Sequence, residues 1–261
     1  MSIRCYHVDA FAERPFEGNP AAVCLLDEWP DDRELAAVAA EFNLSETAFV
    51  KPDGANWSIR WFTPACEVDL CGHATLAAAH VLFTETGDAR DRVAFSAGIG
   101  PLAVTALDGG WLELDFPSRP AEPLEPPAAL VAGLGASPEA VLLAEDLLCV
   151  FRDEAAVRAL QPDFGRLAEI PGRGVIATAP GEDCDFVSRF FGPKVGVPED
   201  PVTGSAHTTL APYWSTRLGR RDMSARQVSP RGGRLRVADR GERVGIAGHA
   251  VTLIAGTLRL A

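Results

Sequence analysis

Apolar and polar positions alternate at the start of the chain, with Ile3, Cys5 and His7 set against Arg4, Tyr6 and Val8. That period of two predicts a strand, which ends at the turn-forming stretch ERPFEGNP at 13–20. The apolar run from Ala21 to Leu26 predicts a second strand. Asp31 or Asp32 then caps a helix whose apolar stripe is Leu35, Val38, Ala39 and Phe42, and Asn43 suits its left-handed stop. A strand opens at Ser45-Glu46, and after the turn at Asp53-Gly54 another runs from Trp57 to Phe62 and closes at Pro64. Beyond a loop through Asp69-Leu-Cys-Gly-His73, the positions Ala74, Ala77, Ala78, Val81 and Leu82 mark a helix that stops at Gly87. Strand-like pieces follow at 92–95, 102–106 and 111–116. The proline-rich stretch from Pro117 to Pro127 reads as a crossing between domains.

The segment after that crossing retraces the order of the first. Arg60-Trp-Phe-Thr-Pro64 leads to Gly72-His73-Ala74 and a helix; Arg189-Phe-Phe-Gly-Pro193 leads to Gly204-Ser205-Ala206 and a helix. The arginines are 129 residues apart and the glycines 132, so the intervening loop is three residues longer in the second copy. This is the signature of a duplicated architecture. The expected domains are residues 1–117, carrying Glu46, and 118–261, with the last strand free to return to the first domain.

Composition narrows the function. A net charge of -12 without a Lys/Arg tract offers no phosphate-neutralising surface, so nucleic acid is not an expected partner. Acidic charge also repels an anionic metabolite at long range, so such a ligand has to be captured by local donors. No apolar run is long enough for a membrane span, and MSIRCYHVDAF lacks the apolar centre of a signal peptide; a cytoplasmic protein is expected. The six cysteines show no CxxC pair and read as reduced thiols. The five histidines show no HxxxH or HxH spacing and no grouping with cysteines, so no metal is expected; the glycines form neither GxGxxG nor a Walker loop, so no nucleotide cofactor is expected.

Chemistry is expected at the two helix starts, where unpaired backbone N–H groups and the helix dipole attract an anion. Two such starts meeting head to head would form one carboxylate-binding cleft between the halves. The repeat offset sets Glu46 opposite Val175, a carboxylate against an apolar side chain, which suggests a site with one base. Partial burial beside Ala48 and Phe49 would raise the pKa of Glu46 toward a value suited to giving and taking protons; the alternative is a solvated strand-end glutamate. Asp69 and Asp200 suit loop capping, and Ser205 suits an N-cap. His73 fits a general acid, a substrate donor or a cap; His80 and His207 lie farther into their helices and read as packing or surface residues.

Several motifs together resemble the phenazine-biosynthesis (PhzF-like) family over nearly the whole chain. They are Val8-Asp-Ala-Phe11 with Gly18-Asn-Pro20, Asn43-Leu-Ser-Glu-Thr47, Phe62-Thr-Pro64, Cys71-Gly-His-Ala-Thr75, Asp200-Pro-Val-Thr-Gly-Ser205 and Ser229-Pro-Arg-Gly-Gly233. The resemblance implies a mixed α+β, diaminopimelate epimerase-like fold of two pseudo-symmetric domains, each a mostly antiparallel sheet wrapped around a central helix. It implies an isomerase without cofactor or metal, similar to dihydro-hydroxyanthranilate isomerase, in which Glu46 shuttles a proton between carbons. His73 and Asp200 join Glu46 as the expected catalytic residues, and Asn19, Gly72, Gly204 and Ser205 are expected to bind substrate. The expected partner is a small carboxylate-bearing metabolite, and a homodimer is the expected assembly.

Two alternatives stand beside this reading. The sister epimerases use a thiol before each helix-start glycine; the positions here are Cys71 and Thr203, and a threonine hydroxyl is far too weak an acid to replace a thiol. A non-catalytic metabolite-binding protein belongs to another class, against which the glutamate, the histidine and the second-half Asp/Ser argue together.

Overall fold

The computed structural model describes residues 2–87 and 90–260. The chain divides into two compact units, Met1–Asp115 with Ala247–Ala261, and Phe116–Ile246.

The first unit contains β1 (Ser2–Ala10), β2 (Asn19–Leu25), α1 (Asp32–Phe42), β3 (Glu46–Asp53), β4 (Asn56–Phe62), β5 (Glu67–Val68), α2 (Gly72–Glu85), β6 (Arg92–Ala97), β7 (Gly100–Ala106) and β8 (Leu112–Pro117). Asp31 caps α1 through the amide of Arg33, and Asn43 ends it at φ 49°, as its sequence predicts. Helix α2 is apolar on every side and packs against β1, β2, β3 and β7, so it is a central helix. Its alanines at 74, 77, 78 and 79 let the strands approach closely.

The second unit contains β9 (Glu122–Pro123), α3 (Ala128–Leu134), β10 (Ala140–Leu143), β11 (Leu147–Val150), α4 (Glu154–Arg158), α5 (Phe164–Ala168), β12 (Val175–Pro180), β13 (Phe186–Gly192), β14 (Val197–Asp200), α6 (His207–Leu218), β15 (Asp222–Gln227), β16 (Gly233–Asp239) and β17 (Arg243–Gly248). Leu147, Cys149, Val175, Ala177, Val187 and Phe191 form a hydrophobic core cluster with Leu130 and Leu134 of α3. Pro212 interrupts α6 without breaking it. A proline has no N–H for the carbonyl four residues back, and that carbonyl, of Thr208, takes the amide of Arg119 at 3.0 Å instead. The last strand, β18 (Ala250–Arg259), pairs antiparallel with β1 in the first unit.

The pairings of the first unit return in the second in the same order. Strands β2 and β3 are parallel, as are β11 and β12; β3–β4 and β12–β13 are antiparallel. Next come the parallel pairs β4–β6 and β13–β15, then the antiparallel pairs β6–β7 and β15–β16. Side chains repeat too. Arg60 clasps Glu67 with two hydrogen bonds and lies over Phe62, and Arg189 clasps Glu199 and lies over Phe191. Glu46 and Val175 each open the strand next to this arginine strand, so the carboxylate of one unit answers an apolar residue in the other.

Candidate active site

Gly18 shapes the entry to the site. It has φ +68°, and an added Cβ would lie 2.1 Å from the carbonyl oxygen of Ala10, so only glycine fits the turn into β2. Asn19 thereby becomes the first residue of β2, fully buried. Glu46 opens β3 directly beside β2, paired with Ala21. Cys71 is the N-cap of α2 in an extended conformation without a side-chain cap bond, and Gly72 and His73 form the first turn. Three elements thus bring five residues together.

His73 is the hub. Its Nε2 lies 3.2 Å from Glu46 Oε2, its Nδ1 3.3 Å from Asn19 Nδ2, and the two nitrogens 3.5 and 4.0 Å from Cys71 Sγ. The side chain of His73 is 8% exposed and that of Glu46 18%. Burial pushes the Glu46 carboxyl up, but the charge and hydrogen bond of His73 and a hydrogen bond from Cys71 outweigh it and hold the carboxyl below its ordinary range. Burial acts against a proton on His73; the sulfur of Cys71 and the carboxylate of Glu46 act for it and raise His73 well above 6.5. Burial and the Glu46 carboxylate push the Cys71 thiol up, and the opposing pull of His73 is not enough to reverse them. The resting state is therefore an ion pair. The expectation that burial raises the pKa of Glu46 is corrected here: the neighbouring imidazolium reverses the sign. An imidazolium has two N–H donors, so a hydrogen bond from Nδ1–H to Asn19 requires the carboxamide oxygen in place of Nδ2, an exchange that would leave the side-chain outline unchanged.

Asp200, Gly204 and Ser205 lie in the second unit. Asp200 ends β14 and accepts the Thr203 hydroxyl at 2.5 Å. Buried Gln227 clamps the same loop: its oxygen takes the Thr203 amide at 2.8 Å, and its nitrogen donates to the Asp200 carbonyl at 2.7 Å and to Thr203 Oγ1 at 3.2 Å. Gly204 to Ala206 form a tight turn that runs into α6, whose regular part begins at His207. Ser205 is not an N-cap; its hydroxyl oxygen accepts from Arg173 at 3.1 Å. Arg173 is itself held by buried Asp146 through bonds of 2.6 and 3.0 Å. His207 is a buried packing residue, its Nδ1 2.9 Å from the Thr203 carbonyl and its pKa pushed down by burial to about 4.

Sequence reasoning passes over four features of these sites. The contact between Cys71 and His73 is visible in the sequence as Cys-Gly-His, and it corrects the statement that no histidine is grouped with a cysteine. With Glu46 these residues place three possible metal-ligand atoms within 4.8 Å of one another, a constellation the histidine spacing does not predict. Arg173 stands between two glycines in a loop, and Gln227 is 24 residues from Thr203, so neither carries a local signal.

Comparison with known proteins gives the class first. A hydroxyproline epimerase from Agrobacterium vitis has this fold, with a TM-score of 0.62 and 11% identity over 98% of this chain and 92% of that one. A Pseudomonas aeruginosa protein named as an uncharacterized isomerase is 52% identical over the full length of both chains, and further relatives carry the same class name. The chain is an isomerase with an epimerase-like fold. It belongs to the phenazine biosynthesis-like family, whose model, PhzC-PhzF, matches residues 8–256. The crystal structure of a PhzF-family phenazine biosynthesis protein from Enterococcus faecalis has a TM-score of 0.97 and 46% identity, covering 100% of each chain. Among the described residues no helix is long and apolar enough to cross a membrane.

Proposed function

We propose that this isomerase moves a proton between two carbons of a small carboxylate-bearing metabolite, with Glu46 as the shuttle and no metal or organic cofactor in the chemical step. The observation that carries the reading is the buried Glu46–His73 pair at the start of α2. A carboxylate kept ionised is a base in its working state. It accepts a proton from an activated C–H while the C–H electron pair moves into the adjacent unsaturation. The shifted double bond then takes the proton back at another carbon, so the cycle consumes nothing. His73 keeps its proton on Nε2, fixes the carboxylate during transfer, and is oriented in turn by Asn19.

The first-turn amides at Gly72 and His73, uncapped by a side chain, suit a carboxylate of the substrate. In the second unit, Ser205 accepts from Arg173, which can only donate, so the serine keeps its own proton for a ligand oxygen. Family resemblance assigns Asp200 a catalytic role and Gly204 and Ser205 to substrate binding. The epimerase reading finds less support. Its second thiol position holds Thr203, whose hydroxyl proton is already given to Asp200.

The test is incorporation of solvent deuterium at carbon, read by mass spectrometry, across a panel of small unsaturated carboxylates and ring amino acids. Exchange or double-bond migration with at least one class supports the reading. Saturable binding without any exchange would reject it in favour of a binding protein.

A further inference from the structure

We infer that Glu46, Cys71 and His73 form an inhibitory binding site for a zinc-class divalent cation, occupied in competition with the proton-transfer chemistry. The binding half stands on geometry alone; the inhibitory half rests on the reading of Glu46 as the shuttle.

A tetrahedral zinc ion bound at 2.0–2.3 Å by nitrogen, oxygen and sulfur holds its ligand atoms about 3.4 Å apart for N and O and about 3.6 Å for N and S. His73 Nε2 lies 3.2 Å from Glu46 Oε2 and 4.0 Å from Cys71 Sγ, and all three ligand atoms are within 4.8 Å of one another. The nitrogen–oxygen side already fits, and closing the triangle on a metal asks the Cys71 sulfur to move in by up to about 1 Å, a side-chain adjustment. One nitrogen, Nε2, is shared by both pairs, so the ring needs no rotation. The ring's other nitrogen faces the Asn19 carboxamide at 3.3 Å, which supplies the outer hydrogen bond that metal-bound histidines usually have. Two ligands come from the rigid start of α2 and one from the adjoining strand, and three protein ligands leave a fourth position for water, as in open zinc sites.

Binding converts the thiol to a metal thiolate and displaces the imidazole proton, and both protons go to solvent. The carboxylate that would accept a substrate proton then becomes a ligand. Hard cations such as magnesium match this sulfur-and-nitrogen set poorly.

Cobalt(II) is the probe. The full chain, stripped with chelator, is titrated with Co2+ and its spectrum recorded. The expected result is one equivalent bound, with the intense visible bands of tetrahedral cobalt and a near-ultraviolet sulfur-to-cobalt charge-transfer band. Both are bleached by one equivalent of Zn2+ and absent in Cys71→Ala, shown to be folded by circular dichroism. A weak octahedral spectrum, or bands that persist in Cys71→Ala, overturns the site. For the inhibitory half, Zn2+ stops deuterium exchange over the concentration range that bleaches cobalt, and chelator restores it; exchange undiminished at saturating Zn2+ overturns inhibition. Cobalt bands in a protein that exchanges no proton with any carboxylate would leave the site standing and reject the proposed function instead.

Discussion

His73 Nε2 lies 3.2 Å from Glu46 Oε2 with the imidazole almost wholly buried, so each group fixes the charge of the other. The consequence for stability has a definite sign. Glu46 has a folded pKa below its ordinary 4.5, so its contribution is complete above that value and is lost as pH falls through the depressed folded value. His73 has a folded pKa above 6.5, so its contribution is complete below 6.5 and is lost as pH rises through the raised folded value. Both contributions are complete only between those two ordinary values. In chelator-treated protein, the melting-temperature gap between wild type and Glu46→Gln should be widest near pH 5–6 and narrow on both sides. The gap at its widest corresponds to about 1–3 kcal/mol, the worth of a charged hydrogen bond. A gap independent of pH would mean that the pair is not ionic.

The same coupling is visible directly by NMR. In the metal-free wild type His73 should remain protonated through neutral pH. In Glu46→Gln one of the two groups that hold the proton on His73 is lost while burial still opposes it, so His73 should give up its proton at lower pH than in the wild type. An unchanged titration would place the source of the shift elsewhere.

Gln227 should be structural and costly to remove. Gln227→Leu removes the acceptor of the Thr203 amide and a donor to the Asp200 carbonyl. At about 1–3 kcal/mol for each buried group that loses its partner, a loss of about 2–6 kcal/mol is expected in urea unfolding. A change under about 0.5 kcal/mol would show that the loop holds itself.

Much of this was legible in the sequence, and the part that was not has physical reasons. Asp31 and Asn43 announced the ends of α1 because caps are local. The repeat could be read because Arg60 and Arg189 perform the same clasp, so each copy needs the same residues in the same order, with the glutamate 7 residues on in the first and 10 in the second. The charge of Glu46 was not legible. Its sign depends on a histidine 27 residues away, brought beside it by a strand and a helix start, and strand-end burial alone gives the opposite answer. Arg173 was hidden for a similar reason: its partners Asp146 and Ser205 lie 27 and 32 residues from it.

Arg173→Met should leave buried Asp146 unpaired and cost about 2–4 kcal/mol, less than a fully buried pair because Arg173 is partly exposed. Adding Asp146→Asn should recover part of that loss. Recovery of nothing would indicate that Arg173 acts instead through Ser205 or through Phe190, over whose ring its guanidinium lies at 5.3 Å.

Glu46→Gln in heavy water tests the central claim most directly. The substitution keeps the side-chain shape and removes the titrating group, so the variant should fold and bind ligand while exchange at carbon falls by about a hundred- to ten-thousand-fold. Exchange at the wild-type rate in the folded variant would contradict Glu46 as the proton shuttle.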